Sequence, residues 1–230
     1  MLFSFEQFAT LNRWLGGFWR IIWLNVLWTL VTVLGLGVLG FGPASYALAA
    51  YLDRWFRHGE TPPPARAVWR SLRTQGIRPM LMGWVLLGAG AVIGVNLLSL
   101  TDWYLRAANL AALGALLMIG CYVFFVMAAT DVTGIRRQIT TALLLGIGSL
   151  HWSILAATGV AISWALMLRF AVPLFPLLGI ALPAVAVAAI LRGALPAPDQ
   201  PDTVRRDDAS ASGPIRTPDR AAPTPEGTPA

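Results

Sequence analysis

The sequence predicts an all-α integral membrane protein, a polytopic bundle of about six transmembrane helices. Of its 230 residues, 57% are hydrophobic and only 12% are charged, whereas soluble domains carry roughly 25% charged residues. The apolar residues fall into runs of about 20, the length of helix that crosses a hydrocarbon layer about 30 Å thick. Arginine-rich segments separate these runs. A soluble core of this size could not bury so much apolar surface, so the membrane is the expected environment.

The first segment, residues 1–17, has the pattern of an amphipathic helix. Phe5 and Phe8 recur at helical spacing, while Glu6 and Arg13 fall elsewhere on the turn. We expect this helix to lie at the membrane interface. A secretory signal peptide is the alternative interpretation. The apolar run that follows is longer than the usual core of about 7–15 residues, so we expect the segment to be retained.

The stretch GFGPAS, residues 40–45, determines how the first long apolar run is divided. A continuous helix over residues 18–55 would be about 57 Å long, nearly twice the hydrocarbon thickness of about 30 Å. Proline has no amide proton and is best tolerated in the first turn of a helix. The sequence therefore predicts that the chain turns at residues 40–43, with Gly42 and Pro43 opening a second helix.

Apolar runs and their breaks divide the rest of the chain. The predicted spans are residues 18–40, 43–56, 78–100, 107–130, 150–168 and 172–191. Pro183 is expected to kink the middle of the sixth span, and residues 18–193 form the transmembrane domain. Beyond it, residues 194–230 are rich in Pro, Ala, Asp and Thr, a composition that predicts a disordered cytoplasmic tail.

The distribution of arginine predicts the orientation. The loop between the second and third spans carries six arginines against Asp53 and Glu60, and arginine accumulates on the cytoplasmic side of membrane proteins. This places both termini in the cytoplasm. Only Arg106 and Arg169 then lie outside.

Residues 65–75 within this loop have helical periodicity of their own. Val68, Trp69 and Leu72 share one predicted face, and Arg66, Arg70 and Arg73 share a second. We predict a helix lying on the inner leaflet with its guanidinium groups at anionic lipid phosphates. A solvated charged face is the alternative. A second interfacial helix is predicted near Arg136 and Arg137, and the two together suggest a parallel repeat.

The predicted spans have few of the side chains that catalysis or metal binding requires. Every acidic residue lies at the end of a span, in a loop or in the tail, and Cys121 is far in sequence from His58 and His151. The glycine-rich run LGLGVLGFGP has neither the strand nor the lysine of a phosphate-binding loop. We therefore predict no enzyme activity, no cofactor, no metal and no nucleic-acid partner.

Asn25 is the polar residue that enters a span most clearly. A side-chain amide surrounded by lipid needs a hydrogen-bonding partner on a neighbouring helix. We predict a structural clasp between helices, and the alternative is a substrate contact.

Three stretches together resemble the YesL family of bacterial polytopic membrane proteins: LNVLW at residues 24–28, GFGPASYALAAY at 40–51 and VWRSLR at 68–73. The chain departs from that family's pattern at residues 39–41, where a threonine is common, and at Trp69, where phenylalanines are common. Members are frequently encoded beside carbohydrate ABC importers and glycoside hydrolases. The resemblance implies a multi-pass protein of the bacterial inner membrane, and it carries over no catalytic residue.

What the resemblance implies is an accessory or scaffold protein for carbohydrate uptake, in contact with a sugar ABC permease or with a second copy. Two sets of small residues are candidate contact surfaces: Gly83, Gly90 and Gly94, and Ala108, Ala112 and Ala115. The alternative is a transporter of a small solute or sugar. It would need a water-filled cavity at Asn25 and broken helices near Pro43 or Pro183.

Overall fold

The computed structural model describes residues 5–130, 134–174 and 178–194, and it is helical as the sequence predicts. The predicted tail, residues 194–230, lies outside the described residues except for its first. The helices are α1 Phe5–Leu34, α2 Val38–His58, α3 Pro64–Thr74, α4 Arg78–Ser99, α5 Trp103–Ala129, α6 Ile135–Gly148, α7 Leu150–Phe170, a 3₁₀ turn Val172–Leu174, and α8 Ala181–Ala194.

Four of these helices are long and apolar enough to cross a membrane, fewer than the six spans predicted. They are Leu15–Leu34 in α1, Arg78–Ser99, Trp103–Ala129 and Leu150–Phe170. Helix α2 has 21 residues, but its last turns carry Asp53, Arg54 and Arg57. Helix α8 is apolar but has only 14 residues, about 21 Å of helix. The predicted boundary at residue 17 falls inside α1, which is one continuous helix.

Helices α1 and α2 form an antiparallel hairpin, but the turn is not at residues 40–43, where the sequence predicted it. The chain turns at residues 35–37, where Leu36 and Gly37 have φ of 54° and 76°. The Trp28 indole donates to the Ser45 hydroxyl at 3.2 Å. The prediction was wrong because it placed the turn at proline. The turn forms instead at Gly37, since glycine takes left-handed backbone conformations easily.

Gly42 and Pro43 therefore lie within α2, and Gly42 has a packing role instead. A Cβ atom at Gly42 would overlap the carbonyl oxygen of Pro79, and one at Gly83 would lie 2.8 Å from the Gly42 Cα. The backbones of α2 and α4 can approach this closely only because both Gly42 and Gly83 lack a side chain. Gly42 thus sets the contact between α2 and the first turns of α4.

Helices α4 and α5 form a second antiparallel hairpin. A Cβ at Gly90 would lie 3.5 Å from the Leu116 side chain, and the Asn96 amide is 3.5 Å from that of Asn109. Asp102 ends the turn by accepting backbone N–H groups at the start of α5. Arg78 and the end of α5 therefore lie at the end of this hairpin opposite to residues 100–102.

This arrangement differs from the up-and-down order predicted from the sequence. That order puts Gly42 near one membrane face and Pro79 near the other, whereas the two are in contact. The difference arises because the chain folds back along α2 before α4 begins. The Tyr51 hydroxyl donates to the Pro62 carbonyl at 3.1 Å, and Val68 of α3 is buried in the core with residues of α2.

The last helices complete the bundle. Gly146 of α6 packs against Met118 of α5, and α7 pairs with α8. Pro183 is the third residue of α8, in the first turn where no helical N–H is required, so the kink predicted in mid-helix is absent from this described helix. The core is built from α1 to α6 and α8, with its largest buried side chains at Leu24, Tyr51, Leu52, Met82, Tyr122, Val123 and Val126.

Candidate functional site

Asn25 joins the first helix to the last. Its side chain is 1% exposed, and its Oδ1 accepts the backbone N–H of Ala181 at 3.0 Å. The Thr29 hydroxyl donates to the main-chain carbonyl of Asn25 at 2.9 Å, one turn along the same helix. Ala181 is the first residue of α8, so Asn25 acts as a cap supplied by another helix.

The helical backbone is interrupted just before α8. Trp164 of α7 holds this break from its other side. The Trp164 indole N–H donates to the Gly179 carbonyl at 2.9 Å. Leu178 and Ala181, on either side of that carbonyl, are buried. Non-helical backbone inside a membrane protein needs such protein partners, because lipid offers none. Asn25 and Trp164 together fasten the start of α8. The sequence analysis identified Asn25 but missed Trp164, because the sequence around a tryptophan in an apolar run does not indicate which group its indole N–H will bond.

Two apolar cavities lie beside this break. One, of about 630 Å³, lies between α2, α4, α5 and α8, and its walls include Phe41, Leu86 and Val187. The second, of about 440 Å³, is lined by α5, α7 and α8, and its walls include Ile154 and Trp164. Asn25 lines neither of them. The amide that the transporter alternative would place at a cavity is instead bonded to Ala181.

The walls of the larger cavity offer little for a sugar to bind. Sugar sites present several hydrogen-bonding groups, and the hydroxyl of Ser45 already accepts the Trp28 indole N–H. Cys121 lines both cavities. Apolar walls of this kind suit an acyl chain or an apolar side chain better than a carbohydrate.

The arginines of α3 share one exposed face, and Trp69 lies with them. Val68 is buried and Leu72 half-buried, but Trp69 is 58% exposed. The guanidinium carbon of Arg73 lies 4.7 Å from the centroid of the Trp69 ring, within the range of a cation–π contact. The prediction that Trp69 shares a face with Val68 and Leu72, apart from the arginines, was therefore wrong.

Two buried polar clusters were not predicted. Asp53, 7% exposed, pairs with Arg57 at 3.1 Å, and His58 Nε2 is 3.9 Å from its other oxygen. The Asp53–Arg57 spacing of four residues is a sequence sign that could have revealed this pair.

The second cluster is made of hydroxyl groups where α6 meets α7. The Tyr122 hydroxyl lies 3.0 Å from that of Ser149 and 2.7 Å from that of Ser153. It links α5 to the start of α7 and satisfies polar groups away from water. Nothing local in the sequence marks Tyr122, because its partners follow 27 and 31 residues later.

The predicted small-residue surfaces are divided by the structure. Gly83 is buried against Gly42 and is not available to a partner, whereas nothing lies within 4 Å of a Cβ built at Gly94. Over the ranges that the structure describes, no group of three or more His, Cys, Asp or Glu side chains is placed to hold a metal ion.

Comparison with known proteins finds similarity in the first half of the chain. Residues 21–97 match a family described as "Protein of unknown function, DUF624". The chain is 35% identical over 78 residues to the uncharacterized protein YteU of Bacillus subtilis (strain 168), an alignment that covers 34% of this chain and 35% of that protein. The matched part is thus about a third of either protein. No solved structure matches.

Proposed function

We propose that the protein is an integral membrane accessory or scaffold that supports carbohydrate uptake through contacts with another membrane protein. The observation that carries the proposal is how its intramembrane polar groups are used. The side chains of Asn25, Trp28, Tyr122 and Trp164 bond to other helices of the same chain. They hold helices together, and the cavity walls beside them are apolar.

The link to carbohydrate rests on the resemblance to the YesL family. The residues that carry the resemblance, 24–28, 40–51 and 68–73, all lie inside the part that matches the DUF624 family. They build the α1–α2 hairpin, the Gly42 contact with α4 and the exposed face of α3. The partner that the resemblance suggests is the permease of a sugar ABC importer, or a second copy of the chain.

The larger apolar cavity supplies the contact surface that we propose for the permease. It is bounded by α2, α4, α5 and α8 and is partly open to the surroundings. Ala91 of α4 lines it at an exposed position, and the neighbouring Val92, 61% exposed, does not line it. A partner helix that inserts an apolar side chain here would gain close packing, which drives helix association in membranes.

Purification of the tagged chain from membranes of its native cell tests this proposal. We expect a sugar importer permease to be recovered in stoichiometric amount, and Ala91→Phe, which adds bulk at the cavity wall, to reduce that recovery several-fold. Val92→Phe adds the same bulk beside the cavity and should leave recovery unchanged. Recovery of the chain alone, or equal loss in both variants, would count against a permease at this surface.

A further inference from the structure

The exposed face of α3 combines three arginines with one tryptophan. The helix has 11 residues and contains no Asp or Glu. Arg66, Trp69, Arg70 and Arg73 are all exposed. We call this set the α3 face.

The orientation of the α3 face is fixed by the rest of the protein. Val68, on the opposite side of the helix, is 5% exposed and belongs to the core. Pro62, two residues before α3, has its carbonyl bonded to the Tyr51 hydroxyl. Because both the helix and its entry are attached to α2, α3 cannot rotate its arginines inward.

Covalent linkage holds the C-terminal end of α3 near a membrane boundary. Only three residues, 75–77, separate its last residue, Thr74, from Arg78, the first residue of a helix long and apolar enough to cross the membrane. Fully extended, three residues span about 11 Å at most. Gly76 turns the chain there with a φ of 63°, and Ile77 is 63% exposed.

The charge of the α3 face is left for an external anion. In the segments that the structure describes, the ion pairs are those of Asp53 with Arg57 and His58, and none of the α3 arginines takes part. Arg78 lies just beyond α3, and Arg136 and Arg137 begin α6, close to the end of α5 that lies beside Arg78. Among the described residues, arginines therefore cluster at this end of the α4–α5 hairpin.

We propose that the α3 face binds the phosphate groups of anionic phospholipids at the membrane surface. Guanidinium groups bind phosphate in two-pronged hydrogen bonds. Trp69 is the residue type that favours the headgroup level, with an apolar ring and a polar N–H. Its contact with Arg73 keeps one guanidinium beside the ring, so the apolar and the cationic parts of the site meet the interface together.

A lipid is favoured over a soluble phosphate compound because of where α3 is held. The attachment to α4 keeps the C-terminal end of the α3 face, with Arg70 and Arg73, within reach of headgroups, and basic residues near an anionic surface are attracted to it. A soluble phosphate would have to be concentrated from water. The proposal is independent of the carbohydrate function and of any partner permease.

The experiment is native mass spectrometry of the full chain released from nanodiscs that contain equal amounts of phosphatidylglycerol and phosphatidylcholine. We expect several-fold enrichment of phosphatidylglycerol on the wild-type chain. The triple variant R66Q/R70Q/R73Q should lose most of that enrichment. The triple variant R66K/R70K/R73K keeps the charge and should retain a large part of it.

Arg106→Gln is the matched control, because Arg106 lies at the opposite end of the α4–α5 hairpin and its loss should leave enrichment unchanged. The α3 arginines are exposed, so their replacement should leave the thermal unfolding temperature of the detergent-solubilised chain as it is. If the glutamine triple fails to fold, the single variants R70Q and R73Q should each reduce enrichment.

Unchanged enrichment in folded glutamine variants would overturn the proposal. So would a fall in Arg106→Gln equal to the fall in the single variants R70Q and R73Q, which would mean attraction by net charge alone. If inorganic phosphate raises the unfolding temperature as much as short-chain phosphatidylglycerol does, the site is a soluble-phosphate site instead. Loss of a bound acidic protein from the variants without any change in lipid enrichment would assign the α3 face to a protein partner.

Discussion

The Asn25 side chain satisfies a backbone N–H in the first turn of α8, a group that an N-cap residue normally satisfies from within its own chain segment. Because both partners are buried, losing the amide oxygen leaves a donor without an acceptor in an apolar environment. That penalty exceeds the modest net value of the bond itself. Residue 25 therefore contributes to the placement of a helix that begins 156 positions later.

Replacing Asn25 by Leu, which has a similar volume, should lower the free energy of unfolding by about 1–3 kcal/mol. The measurement is unfolding in mixed micelles by a denaturing detergent. Hydrogen exchange at the Ala181 amide should also become faster. Asn96→Leu is the control, since its amide contact, at 3.5 Å, lies at the limit of hydrogen bonding and should cost less. Equal losses in the two variants would contradict the clasp.

The sequence indicated that Asn25 needs a partner but could not name it. An amide in an apolar helix is costly without a bond, which is a local argument. Which backbone group meets it depends on how α8 packs on α1, a long-range outcome that no spacing near residue 25 reveals. Trp164 was missed for the same reason: its acceptor, the Gly179 carbonyl, is identified only by the break before α8.

At the scale of single helices, α3 shows where periodicity is ambiguous. Trp69 lies one residue from Val68 and four residues before Arg73, so the helical wheel allows it on either face. The core accepts Val68, and the cation–π contact with Arg73 keeps Trp69 outside. The arginine face was predictable because three charged side chains cannot be buried without partners.

The contact between α2 and α4 depends on Gly42, and Gly42→Ala should destabilise the fold. The added Cβ would overlap the carbonyl oxygen of Pro79, and backbone cannot move aside as a flexible side chain can. Overpacking of this kind costs about 1–3 kcal/mol. The thermal unfolding temperature of the solubilised chain measures the effect.

Gly88→Ala is the matched control on α4, because nothing lies within 4 Å of a Cβ at that position. It should be neutral or stabilising by up to about 1 kcal/mol, since alanine favours helix more than glycine does. A Gly42→Ala variant as stable as the Gly88→Ala variant would mean that α2 and α4 are not in close contact at Gly42.

At the scale of the whole molecule, composition and hydropathy were sufficient to predict an all-α bundle with long apolar helices. They identified α4, α5 and α7 within a few residues, because runs of about 20 apolar residues leave few alternatives. The order of the helices in space was not predictable in the same way. It depends on the turn at Leu36 and Gly37 and on the approach of Gly42 to Pro79, two features that hydropathy does not record.

The contact of Gly42 with Pro79 predicts which turns share a membrane face. Helix α4 is about 33 Å long, and Pro79 is its second residue. Leu36 is six residues from Gly42, about 9 Å along a helix, so it must lie far nearer to the Ile77 end of α4 than to the Thr101 end. The up-and-down order predicts the reverse, with Leu36 and Thr101 on one face.

Single cysteines introduced at these three exposed positions, in a Cys121→Ala background, distinguish the two arrangements. A membrane-impermeant maleimide applied to oriented vesicles should label Leu36→Cys and Ile77→Cys from one side and Thr101→Cys only from the other. Permeabilised vesicles give the control, in which all three positions react. Labelling of Leu36→Cys together with Thr101→Cys would mean that α2 and α4 do not meet at Gly42, and the α1–α2 hairpin would then have to pack on α4 in the opposite direction.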